Sequence, residues 1–579
     1  MNVEFFVSDS SKASEGFLWG FCAIYNLFKI TIIERRLNKM LKIFAFCKKY
    51  ILQYKLTLLL YVIISIFISL ASIFSPYILG DFIDQLMQAD DISIIYRYFI
   101  LFASINIFTI VFGYISGRIY VRLQMQLGFK LNKAMIQKYQ QSPLSYVQKQ
   151  DAVYMNQRVN NDSNTLIIFC ISIIQSILMN STIIIVTVIL ITLFHPILAG
   201  ILAVVSVVYI IFYALYRKRL YQANFSYRES QAHFFAKLNE QMFNIRFIKL
   251  HSLFSKFINR LNHGFDELLT SSLRYQHTNY VFSSLDKVVY MVAQMVLLLF
   301  GGIEIINGRL TIGRYIIIAS YFNMLLGAIR YFFGLGKTVQ DNLVSYERLQ
   351  ELETLTPEPN GTEILSSIER IQFKNVSFSY GDRPIICNKS LVFEQDNIYM
   401  IVGSNGAGKS TFLDILTGLQ VGQYTGEIFY NNIEMGNLNM YALRDTFIGM
   451  SEQEPVLIAD TLRYNILFGG GELQEGHKLI DILGLRTFVA ELPNGFDTVV
   501  NEGSSNLSGG EKQKISLLRT LLKSPNVIIL DEPTSALDTV SSSNLKSYLH
   551  SIKNNKIIII ITHDPDFIDD NDIVVELKK

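Results

Sequence analysis

Six apolar runs in the N-terminal 334 residues constrain the fold more than any other feature of this sequence. Each is about 20 residues long and carries few charges, which is the length at which a helix crosses the hydrocarbon core of a bilayer. The runs lie at about 56–78, 98–117, 165–194, 197–215, 281–303 and 313–334. Because a spanning segment must pair its backbone N–H and C=O groups internally, the runs predict a membrane α-helical bundle of six transmembrane helices.

Composition agrees with a membrane protein that also has a soluble part. The chain of 579 residues is 50% hydrophobic and 17% charged, whereas ordinary soluble domains carry about 25% charged residues. The net charge is +2, and no basic run interleaved with aromatic residues occurs, so nucleic acid is not an expected partner. The four cysteines have no metal-ligand or pairing spacing and are expected to be small buried residues in a reducing compartment.

Charge indicates the orientation of the bundle. Two long polar segments, 119–164 and 216–280, contain six and ten Lys or Arg residues. The loop after the first run is acidic instead, with Asp81, Asp84, Asp90 and Asp91 against Arg97. Positive residues favour the cytoplasmic side, so the sequence predicts a multi-pass protein of the cell (inner) membrane whose termini are both cytoplasmic.

The two polar segments have helical periodicity, so we expect the spanning helices to continue into the cytoplasm. Turns are expected near 142–163 and 230–252, where the segments would meet a cytoplasmic domain. Exposed amphipathic hairpins without a partner are the alternative. Residues 41–52 predict a basic amphipathic helix lying on the inner leaflet before the first span.

Residues 1–40 form an N-terminal extension with two interpretations. Its apolar stretch, 17–33, is short and lacks the small-residue cleavage pattern of a secretory signal peptide. It is either an interfacial helix or sequence upstream of a true start at Met40. The transmembrane domain with its cytoplasmic segments is predicted over 41–350.

The remaining sequence predicts a soluble domain over 368–579, after a linker at 351–367 that contains Pro, Gly, Thr and Ser. Its segment 403–410, GSNGAGKS, matches the pattern G-x-x-x-x-G-K-[ST]. In such a loop, backbone N–H groups and a helix N-terminus face phosphate groups. A chance glycine turn is the alternative for the motif alone. The candidate nucleotide ligands are Gly403, Ser404, Asn405, Gly406, Ala407, Gly408, Lys409, Ser410 and Thr411.

Further polar residues follow apolar strand-like runs. In NVIILDEPTSALD (526–538), Asp531 is placed to hold Mg²⁺ together with the Ser410 hydroxyl, and Glu532 to orient or deprotonate the attacking water. Capping of the next helix is the alternative for the acidic pair. Gln453 is a candidate for contact with the metal and the water, and His563 for contact with the γ-phosphate. Taken alone, Gln453 is more simply interpreted as a surface glutamine and His563 as a structural histidine.

The segment LSGGEKQK (507–514) resembles the signature of ATP-binding-cassette (ABC) transporters. With the glycine loop and SALD (535–538), it completes the motifs of that family in order and spacing. Tyr380 resembles the aromatic residue that stacks on adenine. The resemblance implies an α/β P-loop NTPase cassette domain with ATP and Mg²⁺ as cofactors. The fusion of six spans ahead of the cassette is similar to a half-transporter of the exporter type.

The resemblance also implies a dimer in which two cassettes enclose two ATP molecules. Ser508, Gly509 and Gly510 would bind the γ-phosphate held by the partner, and Glu511, which replaces a frequent Gln beside them, is expected to matter little. The retention of the candidate catalytic residues and signature glycines favours a second copy of this chain as the partner. A different half-transporter is the alternative.

The resemblance also implies ATP-driven export across the membrane. Glu502 and Gly503 match a loop that in exporters contacts the cytoplasmic helices of the partner. We expect an exported peptide of the bacteriocin or lantibiotic type or an amphipathic drug, with a lipid next. An ATP-gated channel or a sensor is the rival interpretation, and Glu532 and His563 argue against it.

Side chains of the last two spans are candidates either for cargo contact or for helix packing. They are Asp286, Lys287, Tyr315, Tyr321, Phe322, Arg330, Tyr331, Phe332 and Phe333.

Overall fold

A computed structural model of the chain describes residues 31–88, 91–150, 152–473, 476–500, 507–535 and 537–577. Side chains are described within these ranges from residue 38 onward, except at 152–154, 157, 212–214, 217, 285–286, 333 and 337. Several sequence interpretations fall wholly or partly outside the described residues. They concern the extension at 1–30, Asp90, the loop at Glu502 and Gly503, residue 536 of the SALD motif, and the side chains of Asp286 and Phe333.

The chain divides into two compact units. One comprises Met1–Ile136 and Val153–Glu353, and the other comprises Gln137–Ala152 and Thr354–Lys579. We call them the membrane unit and the cassette unit. The first expected turn thus begins in the cassette unit, where the Glu358 backbone N–H donates to the Gln141 carbonyl oxygen at 2.7 Å.

Nine helices precede the first strand among the described residues, joined by short turns that include a 3₁₀ turn at Leu52–Tyr54. They are α1 (Thr31–Ile51), α2 (Lys55–Leu86), α3 (Ser93–Gln140), α4 (Leu144–Val147), α5 (Ala152–Phe194), α6 (Pro196–Phe243), α7 (Ile245–Leu250), α8 (Phe254–Ile306) and α9 (Ile312–Thr354).

Each of the six apolar runs lies within one long helix: α2, α3, α5, α6, α8 or α9. Within the described residues, five of these are long and apolar enough to cross a membrane, and the apolar part of α6 is the shorter stretch Pro196–Ile211. His195 is the N-cap residue of α6, and its Nδ1 accepts from the Leu198 backbone N–H at 3.4 Å. The helices continue well past the runs, and α7 lies within the second expected turn region.

The core of the membrane unit packs α2, α5, α6, α8 and α9 together. Tyr321 and Phe322 of α9 are fully buried there. The Tyr321 hydroxyl donates to the Ile73 carbonyl oxygen of α2 at 3.1 Å. For these two aromatic residues of the sixth span, the structure therefore favours helix packing over cargo contact.

The helix expected at 41–52 is present as the C-terminal part of α1, and it packs on protein. Ile43 and Cys47 are fully buried. The Phe46 ring meets the Tyr346 ring edge-on at 5.6 Å, and Lys49 forms an ion pair with Glu353. Both partners belong to α9, so α1 is attached to the last turns of that helix.

Over the residues that the structure describes, the cassette unit continues with eleven strands and seven further helices. The strands are β1 (Arg370–Tyr380), β2 (Arg383–Glu394), β3 (Asn397–Val402), β4 (Thr425–Tyr430), β5 (Ile433–Glu434), β6 (Ile448–Ser451), β7 (Asp460–Thr461), β8 (Val499–Val500), β9 (Val527–Asp531), β10 (Ile557–Ile561) and β11 (Ile573–Glu576). The helices are α10 (Lys409–Leu416), α11 (Met440–Thr446), α12 (Leu462–Leu467), α13 (His477–Ile482), α14 (Arg486–Glu491), α15 (Gly509–Leu522) and α16 (Thr539–Ile552). Three further 3₁₀ turns lie at Met435–Asn437, Gly495–Asp497 and Pro565–Phe567.

A five-stranded parallel sheet in the order β11-β3-β10-β9-β6 forms the centre of the cassette unit. Successive residues of β10 enter two different hydrophobic clusters: Ile557, Ile559 and Ile561 pack on the side of α10, and Ile558 and Ile560 on the side of α15. Burial of both faces explains why β10 is an unbroken run of isoleucines. An antiparallel sheet, β2-β1-β4-β5, adjoins it, and β7 pairs with β8. The predicted α/β domain is confirmed.

Candidate nucleotide site

The carboxyl ends of four parallel strands bring the candidate site residues together. β3 leads into Gly403, β9 ends at Asp531, β10 is followed by His563 after one residue, and β6 is followed by Gln453 after one residue. Strand register places Asp531 directly opposite Ile561. Because parallel strands end at a common edge, residues more than 150 positions apart in sequence face one region.

The glycine loop has the backbone that its sequence requires. Gly406 and Gly408 have φ of +79° and +89°, a region that residues with a Cβ rarely adopt. A Cβ on Gly408 would also lie 2.6 Å from Ile385 Cγ2. Within the loop, the Ala407 N–H donates to the Ser404 carbonyl oxygen at 3.0 Å. Asn405 is exposed, and Ser410 and Thr411 occupy the first turn of α10.

Lys409 begins α10 and turns back over the loop. Its Nζ donates to the Gly403 carbonyl oxygen at 3.0 Å and also contacts His563 Nε2. Since an ammonium can only donate, the histidine nitrogen that faces it acts as an acceptor. The predicted phosphate-binding lysine and the predicted histidine are thus neighbours.

Glu532 lies between the other two predicted catalytic residues. Gln453 Nε2 donates to Glu532 Oε2 at 2.7 Å, and His563 Nε2 lies 3.6 Å from Glu532 Oε1. Lys409, His563, Glu532 and Gln453 therefore lie side by side across three strand ends and the glycine loop. Lys409 with His563 and Gln453 with Glu532 are hydrogen-bonded pairs, whereas His563 Nε2 only approaches Glu532, because that nitrogen accepts from Lys409. A water molecule bound beside Glu532 would have an acceptor and a donor within reach, which suits general-base chemistry.

Asp531 is an electrostatically strained member of the site. Burial raises the pKa of its carboxyl, and the neighbouring Glu532 and Glu452 raise that pKa further, while Lys409 opposes them. Burial and Glu452 likewise raise the pKa of Asp414 in α10 to about 6. Among the charges that act on Asp531, the negative ones of Glu532 and Glu452 outnumber the positive one of Lys409. This excess of negative charge suits a divalent cation with oxygen ligands.

The signature residues stand apart from this row of side chains. Ser508 caps α15, and Glu511 completes a capping box in which its Oε2 accepts from the Ser508 N–H at 2.6 Å. Among the described residues, no hydrogen bond or ion pair joins 508–511 to Lys409, Asp531 or His563. Tyr380 ends β1 with its ring 4.9 Å from the Phe378 ring and 40% exposed.

One contact of Glu532 involves a residue that sequence reasoning missed. Gln513 Nε2 donates to the Glu532 backbone carbonyl oxygen at 2.7 Å, and Gln513 is only 3% exposed. The available signal was a carboxamide on the apolar, inward face of the amphipathic helix α15. A buried polar side chain requires a partner, but the sequence does not say which one.

Two family models match this chain in succession. The ABC transporter transmembrane region matches residues 58–329, and the ABC transporter cassette matches residues 386–535.

Curated bacterial relatives have similar sequences. An ATP-dependent lipid A-core flippase of Desulfotalea psychrophila is 29% identical over 59% of this chain and 60% of that relative. A putative export ATP-binding/permease protein of Rickettsia conorii is 32% identical over 61% of this chain and 62% of that relative. These alignments span about three fifths of the relatives' length. The microcin-J25 export ATP-binding/permease protein of Escherichia coli is 26% identical over 87% of this chain and 88% of that relative.

The architecture also matches a solved structure. A bacterial Atm1-family ABC exporter with ATP bound superposes with a TM-score of 0.77 and covers 91% of this chain and 94% of its own. At 20% identity this likeness concerns the fold. With both family models matched in order, the chain belongs to the ATP-binding-cassette transporters, with the exporter-type transmembrane region and the cassette fused in one polypeptide.

Proposed function

We propose that the chain is an ATP-hydrolysing half-transporter that works as a dimer and exports an amphipathic peptide across the cell (inner) membrane. The observation that carries this proposal is the row of side chains from Lys409 through His563 and Glu532 to Gln453. A protein that only binds ATP has no need for a carboxylate held between these partners. Their presence argues against a channel or sensor without a pumping cycle.

Each residue of the site has a distinct role in this proposal. The backbone N–H groups of the glycine loop and the Lys409 ammonium bind the β- and γ-phosphates of ATP. Glu532 orients and deprotonates the attacking water, Gln453 keeps the carboxylate in place, and His563 contacts the γ-phosphate. Tyr380 stacks on adenine, and its partly exposed side chain is accessible for this contact.

The residues present fit a Mg²⁺ ion. Asp531, Ser410 and Gln453 supply the oxygen ligands that this hard cation prefers. Burial raises the pKa of Asp531, and the neighbouring Glu532 raises it further; a divalent cation would favour the ionised carboxylate. When bound, Mg²⁺ would neutralise charge on the β- and γ-phosphate oxygens. Asp531 would hold the ion, and Glu532 would remain available to the water.

The dimer is proposed to contain two copies of this chain, with the cassettes facing the cytoplasm. Ser508–Gly510 carry exposed or partly exposed groups at the N-terminus of α15, where backbone N–H groups and the helix dipole favour an anion. We propose that this anion is the γ-phosphate of ATP held by the partner. A different half-transporter as partner is tested by the experiment below.

The peptide cargo is supported by the microcin-J25 exporter, whose alignment covers most of both chains. The lipid A-core flippase favours a lipid instead, over a shorter alignment. Both classes of cargo are amphipathic, and the cassette does not discriminate between them. Microcin J25 and lipid A-core are therefore the two probes for a direct comparison.

The deciding experiment measures ATP hydrolysis by the purified full chain in lipid nanodiscs beside Glu532→Gln. We expect robust hydrolysis that depends on Mg²⁺ and is lost in the variant. Glu454→Gln, which alters an exposed carboxylate next to Gln453, is the matched control and should remain active. Hydrolysis by a preparation that contains only this chain supports two identical halves, and an inactive but folded preparation contradicts them.

Cargo is tested in vesicles with the cassettes facing outward. ATP-dependent uptake of microcin J25 that exceeds movement of lipid A-core between leaflets would support a peptide exporter. The reverse result would replace the peptide by a lipid. ATP hydrolysis without movement of either probe would remove both from consideration.

A further inference from the structure

Gln513 joins helix α15 to the backbone of Glu532. Its Nε2 donates to the Glu532 carbonyl oxygen at 2.7 Å, and its Oε1 accepts from the Ser535 hydroxyl at 2.9 Å. Turning this carboxamide over would set its oxygen against the carbonyl oxygen of Glu532. Because the nitrogen and the oxygen of this carboxamide each have a hydrogen-bond partner, the side chain has one favourable orientation.

The main chain at Glu532 needs such support. Its φ is +48°, in the left-handed region that is unfavourable for a residue with a side chain. The Glu532 N–H donates to the Ile561 carbonyl oxygen at 2.9 Å. Its own carbonyl oxygen accepts from Gln513 Nε2 at 2.7 Å and from the Ser535 backbone N–H at 3.2 Å. The peptide groups on both sides of the strained residue are therefore fixed.

The backbone conformation determines where the carboxylate points. In this conformation, Glu532 reaches Gln453 at 2.7 Å and approaches His563 at 3.6 Å. A return of φ to the ordinary negative region would swing the side chain away from both residues. Among the described residues, no hydrogen bond joins Gln513 to either partner, so its influence on the carboxylate passes through the main chain of Glu532.

The position of Gln513 along α15 adds a second connection. The helix begins at Gly509 with Ser508 as its cap, and Gln513 lies about one turn further on. A helix moves as a rigid rod over one turn, so a displacement of its N-terminus displaces the Gln513 carboxamide. The same helix thus carries the exposed signature residues and the group that holds Glu532.

We propose that Gln513 is a positioning residue for ATP hydrolysis, which holds Glu532 in its left-handed conformation and makes the carboxylate follow the position of α15. This inference rests on the proposed function, in which Glu532 activates water and α15 meets the partner's ATP. Engagement of the signature at one ATP would then orient the catalytic carboxylate that serves the other. Gln513 itself contacts no reacting atom.

Gln513→Glu in the full chain in nanodiscs tests the proposal, because it keeps the shape of the side chain and replaces its donor by an oxygen. We expect kcat for ATP hydrolysis to fall about 10- to 100-fold, as for a displaced catalytic group. KM for ATP and binding of a fluorescent ATP analogue should change less than about twofold, since no proposed phosphate ligand is altered. Gln513→Met, which removes the donor without adding a charge, should give the same result.

The matched control is Thr520→Val. Thr520 is also buried on α15, and its hydroxyl donates to the Met450 carbonyl oxygen at 3.0 Å, away from Glu532. Its kcat should stay at the wild-type value even if its melting temperature falls. Equal losses of kcat in the control and in both Gln513 variants would indicate general destabilisation and overturn the proposal.

A double variant separates positioning from any independent effect. If Gln513 acts through Glu532, adding Gln513→Glu to Glu532→Gln lowers the residual rate no further. Multiplied losses would overturn the proposal. The proposal would also be overturned if both Gln513 variants kept the wild-type kcat while Glu532→Gln lost activity. That result would leave the proposed function intact. Activity retained by Glu532→Gln would instead contradict the proposed function.

Discussion

The Arg348 guanidinium and the Asp162 carboxylate form an ion pair across α9 and α5, with Nη2 and Oδ1 2.9 Å apart. One turn away, Arg158 Nη2 of α5 lies 2.5 Å from Glu351 Oε2 of α9. The charges are crossed, so sliding one helix by one turn would bring the two arginines together in one direction and the two carboxylates together in the other. Paired charges of this kind specify the register of adjacent helices.

Removal of the arginine from the Arg348–Asp162 ion pair should destabilise the membrane unit. In Arg348→Met, the Asp162 side chain, 6% exposed, loses its 2.9 Å cation. We expect a loss of about 1–3 kcal/mol in the free energy of unfolding, less than for a fully buried pair because Arg348 is partly exposed. Urea unfolding of the detergent-solubilised chain measures it. Arg260→Met breaks the exposed Arg260–Glu240 pair and should cost about 0–1 kcal/mol, so equal costs would contradict the register role.

Lys409→Met should weaken ATP binding rather than the hydrolytic step. Removing a charged hydrogen-bond donor to phosphate costs about 1.5–3 kcal/mol, or roughly 10- to 100-fold in affinity. Titration of a fluorescent ATP analogue measures the change. Lys374→Met is the control, because Lys374 is exposed and its ammonium lies over the Phe429 ring. Equal affinities in the two variants would remove Lys409 from the proposed phosphate site.

Gly408→Ala should deform the glycine loop. The new Cβ would meet Ile385 Cγ2 at 2.6 Å in a backbone with φ of +89°, at a cost of about 1–3 kcal/mol. Both the melting temperature and ATP affinity should fall. Gly436→Ala provides the comparison, since a Cβ there meets nothing within 4 Å. A Gly408 variant that behaves like this control would argue against the loop conformation described above.

The raised pKa of Asp414 leads us to expect that the protein loses stability as the pH rises. Its pKa of about 6 lies above the ordinary 3.8, so the folded chain binds a proton more tightly than the unfolded chain. The free energy of unfolding should therefore fall as pH rises from about 4 to about 6. Asp414→Asn should remove this dependence and add about 1–3 kcal/mol at pH 7. Melting temperatures across that range, beside the exposed-site variant Asp382→Asn, would reveal it, and parallel curves for wild type and Asp414→Asn would refute it.

Tyr321→Phe distinguishes packing from cargo contact. The variant removes the hydroxyl that donates to the Ile73 carbonyl oxygen at 3.1 Å, and such interhelical bonds contribute about 1 kcal/mol in membranes. Thermal stability in detergent should fall while stimulation of ATP hydrolysis by microcin J25 is unchanged. Tyr114→Phe, at a residue that is 70% exposed, should leave both properties as they are. A selective loss of cargo stimulation in Tyr321→Phe would place this residue in the cargo path.

The cassette site was largely predictable because its residues follow recognisable strands. The runs before Gly403, Asp531 and His563 are each apolar enough to be a buried parallel strand, and parallel strands share an edge. Local pattern and family resemblance therefore placed Lys409, Glu532 and His563 in one region. The structure adds the distances between these side chains and shows that Gln453 donates a hydrogen bond to Glu532.

Contacts between distant helices carry no such local signal. The pattern of α1 predicts an amphipathic helix equally well for a leaflet or for the protein surface formed by α9. The buried face of α15 predicts that Gln513 needs a partner without naming Glu532. The left-handed backbone of Glu532 is accompanied by hydrogen bonds to Ile561, to Gln513 and to the Ser535 backbone N–H, and a glutamate in sequence gives no hint of it.

Helix α9 is continuous over 43 residues, from the start of the sixth span to Thr354, and α1 and α5 are attached near its C-terminal end. At 1.5 Å per residue such a rod is about 65 Å long. A tilt of only about 5° about one end of a rod of this length carries the other end through about 6 Å. Because α9 is also packed on α2 through Tyr321, such a tilt would have to move the helices that contact it, so a small rotation near the C-terminal end is transmitted to the spans as a displacement of several ångströms.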